Sequence, residues 1–266
     1  MAFAKPLRHL LLLLPLASSS VFADSLQLGA NWLYFDFREE SQSGATLNQE
    51  RGDLPGIFFN WQVDLGTRFW LGLEAGYNRG KVHYDGQTQA GLPLTTTTHE
   101  RLIHYDGRLG ARVETSMLTW HPYLMARYQR WDRSIQSSGL SLELDEFYRW
   151  WESGAGIGGC APAHAWFSNL CFDIEAFLTH SGNVRVSAEA LPGGEPELSI
   201  GDGEGYRIQI HWSPPPWPEV NVSLFREVWD FSAGDEELTR LGRFLVRIRE
   251  PASESVRQGI RVGLKF

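Results

Sequence analysis

The chain ends in Val256-Arg257-Gln258-Gly259-Ile260-Arg261-Val262-Gly263-Leu264-Lys265-Phe266, and these residues decide the fold. Val256, Ile260, Val262, Leu264 and Phe266 fall on one side of an extended backbone; Arg257, Gly259, Arg261, Gly263 and Lys265 fall on the other. A repeat of two is the period of a β-strand, whose successive side chains point to opposite faces. Cations on one face and aliphatic groups on the other suit a wall with water on one side and hydrocarbon on the other.

Working upstream, the same alternation predicts strands at about 26–37, 54–65, 68–79, 101–114, 120–131, 146–157, 167–181, 206–212 and 220–230. With the terminal one they make ten. Ile103, Tyr105, Gly107, Leu109, Ala111 and Val113 share one face; His104, Asp106, Arg108 and Arg112 share the other. Tyr206, Ile208, Ile210 and Trp212 oppose Arg207, Gln209 and His211. The connections alternate. Those at 38–53, 80–100, 132–145, 182–205 and 231–255 are long, while those at 66–67, 115–119 and 213–219 are short and 158–166 is moderate. Long loops on one side and short turns on the other are the arrangement of an antiparallel up-and-down transmembrane β-barrel. Twelve strands is the alternative, if 184–189 or 197–200 supplies another. Residues 243–249 read as a β-extension above the membrane, after a possible helical turn at 234–241.

The N-terminus carries Lys5, Arg8 and His9, then the apolar run Leu10 to Leu16, then small residues ending at Ala23. This is the pattern of a cleaved secretory leader over 1–23, leaving one domain over 24–266. The apolar run is too short for a membrane helix, which needs about 20 such residues. A membrane protein without such helices must close its backbone hydrogen bonds as a barrel. The 11 Trp suit interfacial girdles. Export leads to an oxidising compartment, so Cys160 and Cys171 are expected to form a disulfide worth roughly 3 kcal/mol. Two free thiols are the alternative; a metal site would need more ligands than the nearby His164 supplies.

Leader, loop rhythm and a last strand ending on Phe together make the chain resemble the Gram-negative outer-membrane β-barrels. The resemblance implies residence in outer-membrane lipid and lipopolysaccharide after escort by periplasmic chaperones. It also implies that Ile260, Val262, Leu264 and Phe266 form the signal read by the barrel-assembly machinery. In length and strand number the chain looks like the omptin proteases, which activate water with acidic residues and an Asp-His pair at the extracellular rim. The rim candidates here are His83, Asp85, His99, Asp132, Asp145, His180, Asp202 and Asp230, and none forms an Asp-x-His pair at the outer end of a strand. No catalytic residue is assigned. The topology also resembles lipid A deacylases, which carry a His-x-Ser pair. In Thr179-His180-Ser181 the His and Ser are adjacent and so point to opposite faces of a strand.

By parity the inward face gathers Glu74, His104, Asp106, Arg108, Arg112, Glu114, Arg127, Glu152, Asp173, Glu175, Arg207, His211, Arg257, Arg261 and Lys265. A lumen of about ten strands is narrow enough for side chains to fill, and paired Arg and carboxylate groups satisfy one another there. The expected function is a surface-exposed barrel of binding or structural type, with a largely filled lumen and long outer loops for an unidentified extracellular ligand. The alternatives are a narrow solute or ion channel, and an omptin-like protease or lipid A-modifying enzyme. A wide porin needs about 16 strands. The net charge of −8 disfavours nucleic acid, and no cofactor or metal is expected. The acidic connection with Glu189, Glu195, Glu197, Asp202 and Glu204 reads as a solvated loop, with divalent cations as its other use.

Overall fold

Ten long antiparallel strands close into a barrel in the computed structural model, which describes residues 25–87, 91–138, 143–161, 169–187, 195–241 and 244–266. The strands are β1 (Ser25–Glu40), β2 (Thr46–Leu65), β3 (Phe69–Gln87), β4 (Pro93–Ala111), β5 (Thr119–Ile135), β6 (Leu144–Cys160), β7 (Leu170–Ser187), β8 (Gly203–Trp212), β9 (Val220–Phe231) and β10 (Ala252–Lys265). Each pairs with the next. β10 closes on β1 in continuous register from Gln27↔Lys265 to Glu40↔Ala252. Closure leaves the wall without an unpaired edge, as backbone surrounded by hydrocarbon requires. The leader expected at 1–23 lies outside the described residues.

The alternation of the sequence becomes the two faces of this wall. Leu28, Ile57, Leu73, Leu109, Leu124, Ile174, Ile208, Leu224, Ile260, Val262 and Leu264 are exposed on the outer face. Aromatic rings mark its two edges. Phe69, Trp212, Trp217 and Phe266 lie near the short turns and termini. Trp32, Tyr34, Tyr105 and Trp151 lie toward the other end, with Tyr128 packed between Tyr105 and Trp151. These are the girdles at which amphipathic rings meet both water and lipid.

Three features differ from the sequence-based expectation. The strands run far past the outer girdle, so that only 41–45 separates β1 from β2, and 80–87 and 93–100 belong to β3 and β4. Polar residues there resemble loop sequence, but they alternate and pair in a stretch of wall that water can solvate. Residues 234–241 hold no helical turn; Glu237–Leu241 pairs with Phe244–Ile248 as a small hairpin. Residues 184–187 extend β7, and Glu197–Ser199 pairs with that extension, so neither adds a barrel strand. At the inner end, Cys160 and Cys171 are register partners on β6 and β7, with Cα atoms 4.1 Å apart, and form a disulfide.

Candidate functional site

The lumen is filled in tiers, each built around one charged group that the alternation of a strand turns inward. Arg127 of β5 centres the middle tier and is 1% exposed. It donates to Asp106 of β4 at 2.9 and 3.1 Å, Glu152 of β6 at 3.0 Å, Glu175 of β7 at 2.6 Å and Glu227 of β9 at 2.6 Å. The last contact crosses the lumen to the far wall. Trp150 and Trp229 both donate indole N–H to Glu152 at 2.7 Å. Arg257 lies over the Trp229 ring, 4.1 Å from its centroid.

The next tier toward the periplasm is centred on a carboxylate. Glu74 of β3 accepts from Arg261 of β10 at 2.7 Å, meets His104 at 3.1 Å and has Arg207 of β8 at 3.6 Å. Arg108 links the tiers, 2.9 Å from Asp106 and 3.6 Å from Glu175. Such pairs hold one another well only because each charge is met by several partners. A buried charge stripped of its partners costs several kcal/mol. Below them the lumen opens into a cavity of about 320 Å³, lined by Gln27, Trp70, His121, Asp173, His211 and Asn221 among others. There His211 Nε2 sits 2.6 Å from Asp173 and its Nδ1 sits 3.0 Å from Ser223.

The third tier lies above the outer aromatic girdle. Arg133, buried on β5, donates to Glu39 at 2.8 Å, Glu50 at 3.0 Å and Glu146 at 2.7 Å. Glu100 accepts from the Trp131 indole, and Glu250 accepts from Tyr148 at 2.8 Å. Five carboxyls thus crowd one guanidinium. Burial, and then the facing Glu50, pushes Glu100 well above the carboxylate range. Burial, and then Glu39 and Glu146, does the same to Glu250. Burial also pushes Tyr84 up to about 12. Burial and mutual repulsion thus push these carboxyls toward the neutral form, which relieves the charge imbalance.

Of the residues expected inside, nine fall into the two lower tiers: Glu74, His104, Asp106, Arg108, Arg127, Glu152, Glu175, Arg207 and Arg261. Arg257 stacks beside them. Asp173 and His211 sit apart at the inner mouth. Arg112 is also apart, bonded to Asp64 at 3.1 and 3.2 Å, while Glu114 is exposed at a turn. Glu227 and the whole upper tier were missed. The signal for Arg133 was present, since it continues the inward parity of Arg127, Gln129 and Trp131 past the expected strand end. Of the rim candidates, His83, Asp85, His99, Asp132, Asp145, His180 and Asp230 take outward positions on the wall, and Asp202 is exposed just before β8. The upper lumen contains no imidazole among the described residues, so nothing there pairs with a carboxylate to activate water. Glu195, Glu197, Asp202 and Glu204 form no metal cluster either: among the described residues no three His, Cys, Asp or Glu side chains are placed to hold a metal ion.

The closed barrel is shared with solved structures. The outer membrane protease OmpT from Escherichia coli superimposes with a TM-score of 0.58 at 9% identity, covering 93% of this chain and 98% of that one. The chain has the fold of a Gram-negative outer-membrane β-barrel. More distant matches include the translocator domain of the autotransporter NalP from Neisseria meningitidis (TM-score 0.42, 10% identity, 91% of this chain and 88% of that one). The attachment invasion locus protein Ail of Yersinia pestis also matches (0.34, 7% identity, 91% and 99%). No protein-family model matches the sequence, and no curated protein matches it. This barrel therefore shares its fold with a protease.

Proposed function

We propose that this barrel does not conduct, and that it works at its outer surfaces while ion pairs fill its lumen. The observation that carries the reading is Arg127, buried at mid-lumen and bonded to carboxylates on β4, β6, β7 and β9 at once. A conducting barrel of this strand number would need those side chains withdrawn from the axis. The outer wall supports a surface role. Just above the girdle Arg79 and Arg101 are register partners, as are Arg130 and Arg149, and all four turn outward. Cations at that height match the phosphates of lipopolysaccharide. An extracellular ligand would meet the raised rim and the connections between its strands.

Single-channel recording of the refolded mature chain in a planar bilayer tests this. The expected trace is silent, from a barrel whose electrophoretic mobility still changes on heating. Steady discrete steps would sink the filled-lumen reading and make the tiers a selectivity lining.

A further inference from the structure

On the outer wall, Ser153 of β6 lies opposite Leu178 of β7. Both face away from the lumen, because their neighbours Glu152 and Thr179 are turned inward and buried. His180 is two residues along from Leu178 and shares its outward face. Its Nε2 stands 2.7 Å from Ser153 Oγ. This is the contact through which a neutral imidazole takes a hydroxyl proton as the oxygen attacks a carbonyl.

The height of the pair on the wall matters. Ser153 is two residues inward from Trp151, whose ring packs on Tyr128 in the outer girdle. The hydroxyl therefore sits just inside the outer leaflet, at the depth where the acyl esters of membrane lipids lie. Beside it a trough of about 880 Å³ indents the lipid-facing wall. Leu124, Leu178, Tyr206 and Val228 bound it, the small Ala176 leaves room above the backbone, and the register partners Glu204 and Asp230 lie at its outer end. A trough on the lipid-facing wall, apolar below and lined by carboxylates at its outer end, suits an acyl chain that runs down from a polar ester.

We propose that Ser153 and His180 form a lipid-facing esterase site that cleaves a fatty acyl ester of an outer-leaflet lipid. Ser153 Oγ attacks the ester carbonyl carbon while its proton passes to His180 Nε2. The carbonyl carbon–alkoxide bond breaks, and the alcohol leaves with that proton. Water then gives a proton to His180 and attacks the acyl-serine, releasing the fatty acid and restoring both side chains. The net reaction is ester plus water to acid plus alcohol, with no other reactant. The site stands whether or not the lumen conducts.

The test places the mature barrel in two kinds of vesicle, one of phosphatidylethanolamine and one containing lipopolysaccharide, and measures released fatty acid by mass spectrometry. Release is expected in at least one, and the arm that responds identifies the lipid. Ser153→Ala and His180→Ala are each expected to lower it at least about 100-fold. Both side chains face outward, so heat-modifiable mobility should be unchanged and a folding defect is thereby separated from lost chemistry. Release from neither vesicle above the Ser153→Ala level, or release that survives both substitutions in folded barrels, overturns the proposal.

Discussion

Arg127 shows how much one side chain can hold. Its replacement by Met would leave Asp106, Glu152, Glu175 and Glu227 facing one another without their shared cation. Arg127→Met is expected to cost about 3–5 kcal/mol, read as a lower urea midpoint for the barrel in vesicles. Glu100 acts in the opposite sense. Its folded pKa is raised, so the folded barrel keeps a proton that the unfolded chain gives up. The stability this confers is present below the ordinary carboxylate range and is lost as pH rises toward the raised value. Glu100→Gln removes that loss. The variant should be more stable than the parent near neutral pH, by on the order of 1 kcal/mol, and should match it in acid; unfolding midpoints across pH would show whether the gap closes. At this scale the sequence was legible where parity alone decides, as for Glu74 or Arg207. It was not legible where partners come from different strands. His180 illustrates this: a search along β7 meets only Thr179 and Ser181, while the bonded hydroxyl belongs to Ser153 on the neighbouring strand.

Strand length is where expectation and structure part most. The period of two located every barrel strand, because each has one face in lipid and one in a packed interior, and those faces demand different residues. It could not fix where the strands stop. Above the girdle both faces are polar, so Thr95 to Glu100 alternates without an apolar signature and still pairs through the full register of β3 and β4. The inward aromatics carry no such signature. Phe35, Phe37, Trp131 and Trp229 face the lumen and pack there as in a soluble core, where the sequence alone left Trp residues open between interfacial belt and filled lumen. At the opposite end β6 and β7 are tied by the Cys160–Cys171 bridge across their turn. Reduction is expected to lower stability by about 3 kcal/mol through the larger freedom of the unfolded chain, which dithiothreitol should reveal as a downward shift of the urea midpoint. The strands themselves should stay paired, since their register does not depend on the bridge.

For the molecule as a whole, the fold could be read from the last strand and the alternation upstream of it, whereas the filled lumen required the cross-barrel contacts. Curvature of the wall brings together residues distant in sequence, so Arg127 and Glu227, 100 residues apart, meet across the lumen. The proportions of the barrel have an outcome of their own. β3 is 19 residues long, and about ten suffice to cross the hydrocarbon at the usual tilt. The rest, at about 3.3 Å per residue, lifts the rim roughly 20 Å clear of the lipid. A barrel of these proportions stands in its membrane like a chimney above a roof. An antibody raised against the rim is therefore expected to label intact cells, and labelling seen only after the membrane is broken would contradict the raised mouth.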